Sequence, residues 1–271
     1  MGFDAMGVGD DDLSLGKEFL LELAKKARFP LLASNLVDGD SGKPLWPTYQ
    51  LKEVNGLRLG LFSLLASEHF GGPMDPRMKG LEIKPHREAA QAMVKELQPR
   101  TDLIILVSHL GYPKDMELAQ AVSGIHVIVG SHTGMNLTHP PVVQNTVLLQ
   151  TAPRGMYVGK FDLTFLNQGK SFTSLSAKRS LEGTLKNVAL RLSARQVSEP
   201  EKSRLKNIKK DAERKLQQFQ GQNEFDNRIV ALSDEIKEDL VIARLIAAYK
   251  AEFPETPNSP APPEKPAASR R

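Results

Sequence analysis

Along the first half of the chain, apolar positions fall into two rhythms, one of helical and one of strand period. Phe19, Leu20, Leu23 and Ala24 recur at helical spacing over residues 16–28, and Pro30 stops the helix they predict. Leu31-Leu32-Ala33-Ser34 then reads as a short buried strand. Past the turn-rich Asp38–Gly42, two arms at about Tyr49–Val54 and Leu57–Leu64 flank Asn55-Gly56, a two-residue hairpin turn. Ser67–Gly80 reads as loop, broken by Gly71-Gly72-Pro73 and Pro76. Pro85 opens a helix over residues 85–98, with Ala89, Met93, Val94 and Leu97 on one face. Thr101–Ser108 is a continuous apolar run, the mark of a parallel strand covered on both faces. A helix over Pro113–Val122 and a buried strand over His126–Gly130 follow, then strands at about Thr146–Thr151 and Tyr157–Phe165.

Strand and helix alternating through residue 130 predict an α/β fold, and the later run of strands predicts a mixed or second sheet. The pattern changes after a strand expected near Leu185–Leu192. Residues 198–218 read as a polar, highly charged helix with Leu205, Ile208 and Leu216 as apolar anchors. Ile229–Leu232 is expected to return as a strand, with Ser233 capping a strongly amphipathic last helix that ends near Phe253. From Pro254 onward proline and polar residues dominate, so this tail is expected to be disordered. The chain thus divides into a domain of residues 1–195, a segment of residues 196–253 packing on it, and a tail of residues 254–271.

Composition narrows the function classes. Of 271 residues, 40% are hydrophobic and 25% charged, enough apolar material for one sizeable core. Runs such as Leu103–Val107 fall far short of the roughly 20 apolar residues a membrane span needs. With no cysteine, disulfides, thiolate ligands and a cysteine nucleophile are excluded. The opening residues lack the basic start and apolar stretch of a secretory signal. The net charge of +4 sits in residues 161–271, where 20 basic side chains stand against 15 acidic. Interleaved signs and few aromatics make that a solvated helix face rather than a nucleic-acid surface.

Three segments carry candidate chemistry. Asp10-Asp11-Asp12 sets three carboxylates side by side, either as oxygen ligands for a hard divalent ion or as a solvated helix-capping loop. Val107-Ser108-His109-Leu110-Gly111 and Ile128-Val129-Gly130-Ser131-His132-Thr133-Gly134 each deliver a histidine from a buried strand into a turn. Ligand sites of open α/β sheets lie past the carboxyl ends of strands, so a shared site for His109 and His132 is expected. His69, His86, His126 and His139 read as structural or surface residues. Neither a phosphate-binding glycine loop nor a Gly-x-Ser-x-Gly elbow is present.

In order, these segments resemble the catalytic domain of the 5′-nucleotidase-like metallophosphoesterases, within the calcineurin-like phosphoesterase superfamily. The similar stretches are Phe3–Gly9, Phe29–Leu36, Asp102–Gly111, Gly124–His132, and the close from Ile229–Leu232 through Glu238-Asp239 to Tyr249-Lys250. The resemblance implies a two-sheet sandwich flanked by helices in four layers, and two divalent metals (manganese, zinc, magnesium or calcium) activating water for attack on a phosphate ester. It places Asp10, His109 and His132 at metal-ligand positions. Asp11 falls at the catalytic position, where the family has a histidine acting on the leaving group. In the family's last motif either Gly134 falls where the final ligand belongs or, in the other register, Gly130 replaces the first histidine, so one ligand is missing either way.

The family's first two motifs, Asp-x-His and Gly-Asp, have no counterpart here. A true start upstream of Met1 would account for both, and a missed signal peptide would then make the protein periplasmic or extracellular rather than cytoplasmic. Asp11 and Gly134 are expected to weaken catalysis. The leading reading is a divergent hydrolase of phosphate monoesters, nucleotides among them. Against it stands a non-catalytic scaffold that keeps the fold, with helix 198–218 as the surface for a protein partner.

Overall fold

The structure, a computed structural model, describes residues 2–254 except Pro73, Gln168, Arg195 and Asp234. From residue 255 on, the tail expected to be disordered lies outside the described residues. The chain opens on a short parallel pair, β1 (Met6–Gly7) and β2 (Leu31–Leu32), joined through a 3₁₀ turn at Asp11–Leu13 and helix α1 (Lys17–Lys26). β3 (Leu36–Asp38) leads to a hairpin of β4 (Tyr49–Val54) and β5 (Leu57–Leu65). Its turn holds Asn55 at φ 51° and Gly56 at φ 79°. That is the left-handed pair a tight hairpin matching the twist of its strands requires. β6 (Leu81–Ile83) returns to pair antiparallel with β3.

Helix α2 (His86–Leu97), β7 (Leu103–His109), α3 (Tyr112–Ala121) and β8 (Val127–Gly130) supply the expected alternation, completed by β9 (Val142–Val143) and β10 (Thr146–Leu149). The main sheet runs β4-β5-β7-β8-β10-β9. Its four inner strands are parallel and its two edge strands antiparallel. Alternate residues of those inner strands feed two different cores. Phe62, Leu64, Ile104, Leu106, Ile128 and Leu148 pack on one face under α2 and α3, with Val94, Leu97 and Leu118. Leu59, Leu103, Ile105, Val147 and Leu149 pack on the other face. Strands covered on both sides must be apolar at every position, which is why β7 shows no alternation.

The cover on that second face is an all-β layer. β11 (Tyr157–Thr164), β12 (Phe172–Ser174) and β13 (Asn223–Ala231) form a sheet in the order β11-β13-β12, and Phe161, Phe172 and Phe225 face the main sheet. The strand expected at Leu185–Leu192 is instead the end of helix α4 (Leu175–Leu192). Leu181, Leu185, Val188 and Leu192 repeat at three- and four-residue spacing, and the Ser174 hydroxyl caps the helix by accepting from Ala177 N–H. A short apolar run fits either period, and here the helical one extends over 18 residues.

Helix α5 (Glu199–Gln218) packs on α4, and Val188, Leu205 and Ala212 are the buried residues of the two helices. Ser233 does not cap the last helix. α6 (Leu240–Glu252) starts later, at an Asp239 whose carboxylate accepts from Val241 and Ile242 N–H. A carboxylate gains from the helix dipole as well as from those bonds. Among the described residues no helix is long and apolar enough to cross a membrane.

Candidate metal centre

β7 and β8 run side by side in parallel, with Ser108 opposite Gly130. Each therefore releases its next residues at the same edge of the sheet. His109 ends β7, and Ser131-His132 follow β8 directly. The turn after β1 is laid onto this edge by two glycines. A Cβ on Gly7 would stand 2.5 Å from Ser63 Oγ, and one on Gly9 would stand 3.0 Å from His109 Cε1. Only bare backbone passes that close, and its passage sets Asp10 against the His109 ring.

The Asp10 carboxylate is almost fully buried. Its Oδ1 lies 2.8 Å from His109 Nε2 and 4.0 Å from His132 Nδ1. Burial opposes its charge, but hydrogen bonds from His109 and Arg77 outweigh that and hold its pKa below the usual carboxylate value. The other nitrogen of His109, Nδ1, lies 2.9 Å from Ser131 Oγ. That hydroxyl donates its one proton to the Ser108 carbonyl at 2.8 Å, so toward His109 it can only accept. Nδ1 thus carries a hydrogen, and Nε2 is the nitrogen that faces Asp10. His132 holds φ at 69°. A left-handed conformation costs a residue with a Cβ about 1–2 kcal/mol, and such positions gather at functional sites.

The loop after β5 closes the group. His69 stacks on His132 with ring centroids 3.4 Å apart and planes 12° from parallel, and meets His109 edge-on at 5.3 Å. Burial first, then the neighbouring His132 and His109, push the His69 pKa down to about 4, so its ring is neutral at ordinary pH. Its Nδ1 is buried without a hydrogen-bond partner among the described residues. Arg77 pins this loop. Its guanidinium donates to Asp10 Oδ2 at 2.9 Å, to the His69 carbonyl at 3.2 Å and to Asp75, and lies over the Phe70 ring.

Of the residues singled out in the sequence, Asp10, His109 and His132 therefore meet. Asp11 does not join them: its side chain is 97% exposed, with Oδ1 3.7 Å from Arg77 Nη1. Asp12 turns back to accept from Gly9 N–H. His126 is buried away from the group and accepts from Ile104 N–H. Sequence reasoning sets His69 aside and passes over Arg77, Asp75 and Ser131. The signal for His69 is faint: it closes a 3₁₀ turn (Ser67–His69) past the buried end of β5, and is not a strand end itself.

Asp10, His69, His109 and His132 each offer one ligand atom, all within 4.8 Å of one another, and they form the single such group among the described residues. Ligands on a common zinc-type ion, each about 2.0–2.2 Å from it, stand roughly 3–4 Å apart. Side-chain rotations that include unstacking His69 from His132 would close the difference, so the residue types present fit one divalent ion. Two ions about 3.5–4 Å apart would need more donors than this group holds.

No family model matches the chain. It is 29% identical over 177 residues to an uncharacterized metallophosphoesterase, YunD, of Bacillus subtilis, covering 64% of this chain and 37% of that protein. To a 5′-nucleotidase of Vibrio cholerae it is 27% identical over 200 residues, 62% of this chain and 36% of the relative. The chain thus spans little more than a third of the length of these relatives. The crystal structure of a 5′-nucleotidase precursor from Thermus thermophilus superposes with a TM-score of 0.64 at 22% identity, covering 92% of this chain and 43% of that one. In sequence and fold the chain resembles the 5′-nucleotidase-like metallophosphoesterases.

Proposed function

We propose that the chain is a metal-dependent phosphoesterase acting on phosphate monoesters, with nucleotides as the substrate class suggested by the 5′-nucleotidases it resembles. The observation that carries this reading is the convergence of Asp10, His109 and His132 at one sheet edge, in a chain similar to metallophosphoesterases. A bound divalent ion would supply charge neutralisation for the phosphate and a water of lowered pKa. The chain's own residues divide the remaining tasks. Asp10, His109 and His132 hold the ion, and Ser131 fixes the ring orientation of His109. Arg77 keeps Asp10 ionised and brings a permanent cation to the edge of the site.

The test is phosphate release from an aryl phosphate and from a nucleoside 5′-monophosphate, with manganese or zinc added. Wild type should be active and His109→Ala and His132→Ala each at least 100-fold slower. Equal rates in all three sink the reading.

A second reading, a non-catalytic scaffold, draws on Asp11, which is exposed where the family's leaving-group histidine belongs, and on Gly134, which has no side chain to ligate. A protein that binds the ion stoichiometrically and yet releases no phosphate from either ester would favour it.

A further inference from the structure

We propose that His69 is a metal ligand, so that Asp10, His69, His109 and His132 bind a single ion of the zinc class. The inference rests on the metal-dependent reading above and adds to it a residue, a stoichiometry and a class of ion. Three independent observations support His69. Its ligand atom belongs to the group whose members all lie within 4.8 Å. Its Nδ1 is buried with no partner among the described residues, a state that costs a polar atom about 1–3 kcal/mol unless something satisfies it. Its loop is also tied to the other side of the same site, because Arg77 bonds both the His69 carbonyl and Asp10 Oδ2. Arg77 also helps limit the site to one ion. It occupies Oδ2 of Asp10, leaving Oδ1 to face the imidazoles, so this carboxylate cannot bridge two metals through both of its oxygens.

The donor set selects the ion. Three imidazoles and one carboxylate suit zinc or cobalt, whereas magnesium and calcium take oxygen ligands nearly throughout. Ligation requires the His69 and His132 rings to turn out of their stack, since a metal lies in the plane of each ring that binds it. That demand separates a ligand from a stacking partner, and His69→Phe separates them experimentally by keeping an aromatic face and removing both nitrogens.

The experiment is calorimetric titration of the metal-free chain with zinc chloride, with cobalt chloride added in parallel to read visible absorption. Wild type should bind one zinc, and its cobalt form should show the intense bands of four-coordination. His69→Phe should keep the wild-type circular dichroism, bind zinc at least tenfold more weakly and give weaker cobalt bands. His69→Ala gives the same comparison if the larger ring does not fit. Unchanged zinc affinity and cobalt spectrum in His69→Phe would overturn the role of His69 while leaving the metal-dependent reading intact. Two zinc ions per wild-type chain would overturn the single-ion assignment. No binding of zinc, manganese or cobalt by wild type would remove the metal-dependent reading itself.

Discussion

Ser131 has one hydroxyl proton, and the Ser108 carbonyl takes it. What remains for His109 is an acceptor, and that single constraint decides which imidazole nitrogen faces Asp10. Ser131→Ala is therefore expected to weaken zinc binding about 10–100-fold, the usual cost of losing a partner that orients a ligand. Its unfolding midpoint without metal should stay close to wild type, because the bond is only partly buried. Calorimetric affinities within twofold of each other would rule out the orienting role. At this scale the sequence is informative about ligands and silent about their supports. A histidine leaving a buried strand is visible as such, and His109 and His132 are found that way. Arg77 lies 67 positions from Asp10, and no local pattern joins them. His69 is hidden by its surroundings, since Glu68, Gly71 and Gly72 make the stretch look like plain loop.

Elements are legible where their period is long and their burial complete. β5, β7 and β10 are strands packed on both faces, and nothing but an unbroken apolar run suits that position. Leu185–Leu192 misleads because a short apolar stretch carries both periods, and only its continuity with Leu175–Thr184 reveals the helix. His126 belongs to this scale too, as a brace between β7 and β8. Its Nδ1 accepts from Ile104 N–H at 2.9 Å, and its own backbone N–H donates to the Ile104 carbonyl. Burial, with a smaller contribution from the charge of Lys170, lowers its pKa to about 4. A folded value below the unfolded one means that the unfolded chain takes up the proton first. The contribution to stability is therefore present above about pH 6.5 and lost as pH falls toward 4. His126→Asn offers an oxygen in place of Nδ1 and cannot titrate. Between pH 7 and pH 5, urea unfolding of the metal-free protein should show wild type losing about 2 kcal/mol more than this variant. His69 titrates in the same direction in both proteins and so cancels in the difference. Parallel pH dependences for the two would mean that His126 is already charged in the fold.

At the scale of the whole molecule, the group at the sheet edge joins separate stretches of chain. Asp10 comes from the turn after β1, His69 from the loop after β5, and His109 and His132 from the ends of β7 and β8. The α/β class is readable from the alternation of strand and helix, but this convergence is not, because it depends on strand order and on Gly7 and Gly9 passing close to neighbouring side chains. An ion held by donors so far apart in sequence is held by the fold and by little else, since the unfolded chain scatters them. Binding must then stabilise the native state by RT ln(1 + [L]/Kd). At free zinc about 100-fold above Kd this is about 2.7 kcal/mol, or a rise of roughly 5–10 °C in Tm for a chain of this size. The rise should reverse with chelator, be absent in His109→Ala and His132→Ala, and be small with magnesium or calcium. Differential scanning calorimetry across a zinc series reads all three. A shift that persists in both variants would place the bound zinc elsewhere, on His86, His139 or the acidic surface, and would separate metal binding by this chain from the sheet edge altogether.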